Sequence, residues 1–183
     1  MSKRIITLGT WEGEPIEWLV LKEEGFASLV ISKYALFSMQ FSNFSNEWYN
    51  SDIRKYLNST FFNNAFSESE KRKIFNVKLN DVNTKDSIFI PSVEEVNSFL
   101  SSDERKFGNG SRGVVLKSLS CDWDNCSECC KANKKGYSNC WTLRTKYNSN
   151  SNSIYRTNYE SLINNFPIDR YHGIRPAMWI KEK

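Results

Sequence analysis

The chain carries a single histidine, His172, and no stretch approaching the ~18 consecutive apolar residues of a membrane span. The apolar stretch Ile5-Ile6-Thr7-Leu8, which follows Met1-Ser2-Lys3-Arg4, is too short for a secretory h-region, and the polar segment Trp11-Glu12-Gly13-Glu14 comes directly after it. A cytoplasmic location, in a bacterium or a phage-infected cell, is the expectation. No serine stands in a G-x-S-x-G turn, and the scarcity of histidine limits the chain to one Cys–His pair. Runs of acidic and amide residues of the calcium-site type are missing, which argues against calcium-dependent sugar binding. Also missing is a concentrated basic stripe. The net charge is +4, the cations are interleaved with acids, and even Lys131, Lys134 and Lys135 have Glu128 beside them. Charge spread this way forms a solvated surface and argues against nucleic acid as a partner.

What is abundant is aromatic: 14% of the chain, from 12 Phe, 8 Tyr and 6 Trp. With a hydrophobic fraction of 39% and a charged fraction of 25%, the composition is that of a folded protein. Its 183 residues suit one domain, 1–183. Strands are expected at Ile5–Leu8, Ile16–Leu21 and Phe26–Ile31, the last two joined by a tight turn at Glu24-Gly25. Trp18 falls in the core on that reading. Ser51-Asp52 starts a helix that places Ile53, Tyr56 and Leu57 on one face. Ser67-Glu68-Ser69-Glu70 and Ser92-Val93-Glu94-Glu95 are capping boxes opening two more. Phe75–Leu79 and Ser87–Ile90 read as strands between them. Beyond Ser101 the chain turns polar, with a Cys-rich insert at about 117–140. Trp141–Thr145 and Ile174–Ile180 read as strands, and the run Asn148–Ser153 as an exposed loop or hairpin tip. Helices in the first half, with short strands and long loops in the second, imply an α+β fold.

Several segments resemble, in order, a domain family of unknown function found in Firmicutes and their phages. They are Pro15-Ile16-Glu17-Trp18-Leu19-Val20-Leu21, Ser51-Asp52-Ile53-Arg54-Lys55-Tyr56-Leu57-Asn58, Trp141-Thr142-Leu143-Arg144 and Gly173-Ile174-Arg175-Pro176-Ala177. The family often has a second tryptophan where this chain has Thr142. The W-L-R strand and R-P-A ending are also similar to the C-type lectin-like fold of formylglycine-generating enzymes and retroelement-diversified receptor proteins. That likeness implies a C-type lectin-like domain whose later loops display a ligand surface.

Chemistry could reside in four places. Cys126-Ser127-Glu128-Cys129 is a CxxC, and Cys121 and Cys140 could complete a tetrahedral zinc site, with Cys130 as a substitute ligand. The same cysteines could instead be free thiols of a reducing compartment, or take a redox or disulfide role. His172 could serve a nucleophilic cysteine, join the thiolates on a metal, or be a plain loop residue. Arg144 and Arg175 lie in otherwise apolar strands, where burial demands partners such as Asp86, Glu94 or Glu95. Alternatively they could clamp an anionic ligand beside Trp141 and Tyr147. Tyr147, Tyr155, Tyr159 and Tyr171 flank the Asn/Ser run, a palette suited to recognition, although such rings also serve to pack loops. The resulting expectation is a non-catalytic binding module for a protein or small polar ligand. Its rivals are a metal- or thiol-dependent enzyme of the formylglycine-generating kind and a phage-encoded inhibitor of host defence.

Overall fold

A computed structural model describes residues 3–106, 140–158 and 161–182. The chain opens with β1 (Ile5–Trp11), β2 (Glu14–Glu24) and β3 (Ala27–Ser32), an antiparallel meander. Gly25 makes the β2–β3 turn at φ +58°, a conformation that glycine adopts without a Cβ penalty. After β4 (Phe37–Gln40) comes a 3₁₀ turn at Trp48–Asn50. One helical stretch follows, made of α1 (Asp52–Tyr56), a π-helical turn (Leu57–Phe61) and α2 (Phe62–Ala65). The π turn presents Asn58, whose side chain donates to the Arg54 and Ile88 carbonyls and accepts from the Ser87 and Ile88 amides. Side chains that intrude on the helical ladder commonly sit at such wide turns.

The short α3 (Glu68–Lys71), β5 (Val77–Leu79), β6 (Thr84–Asp86), α4 (Val93–Phe99) and α5 (Ser102–Arg105) complete the first described segment. Capping boxes start α3 at Ser67, α4 at Ser92 and, unforeseen in the sequence, α5 at Ser101. Then come β7 (Trp141–Lys146), β8 (Ser153–Thr157), β9 (Ile163–Pro167), β10 (Tyr171–Ile174) and β11 (Ala177–Lys181).

The strands form a four-stranded sheet β1-β2-β3-β11, a five-stranded sheet β4-β10-β7-β8-β9 and the β5-β6 hairpin. β11 is the last strand of the four-stranded sheet. One of its edges pairs with β3; the other takes Phe75 on Trp179, Lys73 on Lys181, and a reciprocal pair between Phe89 and Ala177. One cluster of buried side chains runs through all of this. It includes Trp18 and Val30 of the first sheet, Leu143, Ile154 and Ile174 of the second, and Ile53, Leu57 and Phe61 of the helical stretch. Trp18 is fully buried, with its indole N–H on the Leu8 carbonyl at 2.8 Å.

The expectation of an α+β, C-type lectin-like chain is overturned. Strand makes up 42% of the described residues and helix 22%, and the first half itself begins with four strands. Apart from the continuous stretch Asp52–Ala65, whose Ile53, Leu57, Phe61 and Ala65 are buried, the helices are one- or two-turn connectors opened by capping boxes, too short to build a bundle. Strand Ser87–Ile90 is displaced: β6 lies earlier, at Thr84–Asp86, and Phe89 keeps only an isolated bridge.

A bulge in β1 supplies the first test of this packing. Register breaks between Thr7 and Thr10, where Gly9 sits at φ +72° with its N–H on Glu70 Oε1 at 2.9 Å. A Cβ there would lie 2.6 Å from the Ala65 carbonyl oxygen and 2.7 Å from the Phe66 ring. Gly9→Ala therefore combines left-handed backbone strain with a backbone clash. The expected loss is about 2–4 kcal/mol, read as a lower denaturant midpoint.

Candidate functional site

At the far end of β7 an open cleft of about 710 Å³ lies between four pieces of chain. They are the first turns of α4, the end of β7, the Asp81-Val82 turn and the segment Asn46–Trp48. Its floor is Arg144. The guanidinium donates to Asp81 from Nε at 2.9 Å and from Nη2 at 3.2 Å. It also reaches Glu95 from Nη1 at 2.6 Å and Nη2 at 2.9 Å, and the Ile90 carbonyl at 2.7 Å. Its carbon stands 5.3 Å from the centroid of the Phe89 ring. Burial works against the charge, but the hydrogen bonds and charges of Glu95 and Asp81 raise its pKa above the ordinary arginine value. Glu95 is held in turn, because its carboxylate accepts the Ser92 N–H at 2.8 Å in the α4 capping box.

Behind the cleft, Trp48 is buried with its indole N–H on Asp86 Oδ2 at 2.9 Å, and the same carboxylate binds Arg54 and Thr84. Asp86 thus serves Arg54, Glu95 serves Arg144, and Glu94 faces the cleft. At the rim Lys146 pairs with Glu47, and the Asn46 amide group holds the Asn148 and Ser151 carbonyls at 3.0 and 2.6 Å. That clamp fixes the Asn/Ser turn between β7 and β8. Beside it Tyr147, 42% exposed, meets Tyr155 edge to face at 5.5 Å.

Arg175 is positioned elsewhere. It is fully buried, donating to the carbonyls of Ser32, Lys33 and Glu104 at 2.9, 3.1 and 2.8 Å, and its guanidinium lies 4.9 Å from the Trp141 ring. Burial lowers its pKa to about 9, with Glu104 opposing, so the side chain keeps its charge at neutral pH. Tyr171 is exposed on β10. Tyr159, Cys121, Cys126, Cys129 and Cys130 lie outside the described residues, as does the rest of the insert before Cys140.

Cys140 is buried at the start of β7, and its carbonyl accepts the Gly173 N–H at 3.0 Å, which brings His172 to the neighbouring strand. No group of three or more His, Cys, Asp or Glu donors converges among the described residues. His172 packs its ring 4.3 Å from Phe166, and its buried Nε2 makes no hydrogen bond among the described residues. Burial, helped by the charge of Arg156, holds its pKa well below the ordinary value. Protonating it in the fold would bury a cation beside Arg156, so the unfolded chain binds more protons. Stability is therefore complete above the unfolded pKa of ~6.5 and falls as the pH drops below it, by up to ~1.4 kcal/mol per pH unit. Urea midpoints between about pH 7.5 and pH 5.5 should show this slope, and His172→Gln should remove it.

Sequence reasoning offered Glu95 as a partner for Arg144 but missed Asn46, Asp81, Trp48 and Arg156 as site or support residues, and none of Tyr147, Tyr155 and Tyr171 is in the cleft lining. Asp81 and Asn46 sit in polar loops that carry no pattern. Arg156 had one weak signal, the alternation of Ser153–Thr157, with Arg156 stacked 3.8 Å over Phe166 and donating to Asn164.

Together these features define a mostly β protein with an open cleft at the end of β7 in its five-stranded sheet. The chain belongs to the DUF6273 family, a domain of unknown function whose family model matches residues 18–182. No curated protein and no solved structure matches it. No helix among the described residues is long and apolar enough to cross a membrane.

Proposed function

We propose that this chain is a non-catalytic binding module, acting in the cytoplasm of a bacterium or phage-infected cell, and that the β7 cleft seats its protein or small polar ligand. The observation that carries this reading is the cleft itself. Its volume falls among the ~300–1,000 Å³ of small-ligand sites, and an ion-paired floor lies under walls that mix apolar Val82 and Val93 with exposed Glu94, Asn97 and Ser98. Exposed aromatics stand on the adjoining loops, Phe44 at 88% and Tyr147 at 42% exposure, where their area is open to a partner.

The test is a ¹H–¹⁵N titration of the whole chain against a panel of short peptides and oligosaccharides. Saturable shifts clustered on Asn46, Asn97, Ser98 and Lys146 support the reading; a panel that leaves these amides unmoved overturns it. As part of the same proposal, Cys121, Cys126, Cys129 and Cys140 hold one structural zinc. Thiolates at that spacing suit a closed tetrahedral site, and the burial of Cys140 suits one of its ligands. Metal analysis should return about one zinc per chain, with thiols that react only after chelation.

A further inference from the structure

From the charge arrangement of the cleft we infer that the group it captures is a cation, the ammonium or guanidinium of a lysine- or arginine-bearing peptide. The inference rests on the reading of this cleft as the ligand seat.

Both cations of the lining are already engaged. Arg144 directs its donors at Asp81, Glu95 and the Ile90 carbonyl, and Lys146 is bound by Glu47. An incoming anion would have to compete with carboxylates already in place, and its own charge would face Glu47, Asp81 and Glu94. Against those three lining carboxylates stand two lining cations, and Glu95 adds a further negative charge behind Arg144. Asp81 remains partly open to solvent while it holds Arg144, so its outer face can accept another donor. Glu94 projects from the exposed side of α4, with Asn97 and Ser98 beside it as neutral acceptors. Carboxylates and amide oxygens around an open cleft suit a cationic side chain, whose N–H groups can be shared among several acceptors. A peptide is the source the rim favours. Exposed Tyr147 and Tyr49 adjoin the cleft residues Lys146 and Trp48 in the chain, and their exposed area is open to the flanking residues of an extended segment.

The experiment titrates ¹⁵N-labelled full-length chain with three acetylated, amidated peptides that differ only in a central Lys, Gln or Glu. The Lys peptide is expected to shift the amides of Asn97, Ser98, Thr145 and Lys146 and to bind at least about fivefold more tightly than the other two. Glu94→Gln, a change on the exposed helix face, should weaken it about threefold, as should about 0.5 M NaCl. Asn97→Lys should weaken it further while leaving the thermal midpoint in place. Equal or tighter binding of the Gln or Glu peptide at the same amides would overturn the cationic assignment and leave the cleft as a ligand seat. Indifference of the Lys peptide to Glu94→Gln would overturn it as well. If no peptide moves these amides, the cationic assignment falls, and the full peptide and oligosaccharide panel then decides the ligand seat itself.

Discussion

Arg175→Met is expected to lower unfolding free energy by about 3 kcal/mol and the thermal midpoint by roughly 10 °C. Methionine keeps much of the volume, so the loss isolates the hydrogen bonds. Three carbonyls, of Ser32, Lys33 and Glu104, receive their guanidinium donors from this one side chain, and they come from two separate parts of the fold. Ser32 ends β3, Lys33 follows it, and Glu104 lies in α5, so Arg175 joins the first sheet to the last helix of the first described segment. Arg175 is fully buried, and a buried acceptor stripped of its donor costs ~1–3 kcal/mol. Arg175→Lys should recover only part of the loss, because a point ammonium cannot reproduce a planar fork that serves three acceptors. Denaturant unfolding of the two variants checks this. Equal stability of Arg175→Met and the parent would mean that packing on Trp141, and not the carbonyl bonds, retains the arginine.

Arg144→Met is expected to cost about 3–5 kcal/mol near neutral pH, the usual penalty for removing one partner from a buried ionic group. The reason differs from that at Arg175. Here the side chain separates two carboxylates, and its loss leaves Asp81 and Glu95 facing each other across the vacated floor. Glu95 still caps α4 through Ser92, so it cannot simply swing away without a second loss. Adding Glu95→Gln to Arg144→Met should therefore restore part of the stability, giving a coupling in the double-mutant cycle of about 1–3 kcal/mol. Additive losses would show that the two charges do not sense one another.

Much of the framework could be read from residues. The meander β1–β3 follows from its apolar runs and the Gly25 turn, and the starts of α3 and α4 follow from Ser67/Glu70 and Ser92/Glu95, whose side chains bond reciprocally as their spacing requires. What escaped is the balance of the fold. β9 reads Ile163-Asn164-Asn165-Phe166-Pro167, a sequence with no strand signature of its own; it is a strand because β8 lies beside it in register from Ser153↔Pro167 to Thr157↔Ile163. β4 and β10 are likewise short and mixed in polarity, and they gain their strand character from each other. The cleft was half legible. An arginine in an apolar strand demanded acidic partners, and Glu95 was one of those foreseen. Asp81 is brought to Arg144 from 63 positions away by the β5–β6 turn, a pairing no local pattern announces. Arg144 and Arg175 look like a pair in sequence, yet they serve opposite purposes, one at a carboxylate-lined floor and the other among backbone carbonyls.

The place of β11 has a bearing on how the chain acquires its structure. This strand is held by Lys73, Phe75 and Phe89 along one edge and by β3 along the other, all of them far upstream. During synthesis the meander β1–β3 can form early from local contacts, but it lacks its fourth strand until residues 177–181 leave the ribosome. Contacts of such long sequence separation slow folding, since the entropy of closing the loop is lost before the contacts form. The nascent β3 edge meanwhile exposes Leu29, Val30 and Ile31, so the interval before β11 docks is the time at which this protein is most open to chaperones and to mispairing with another copy.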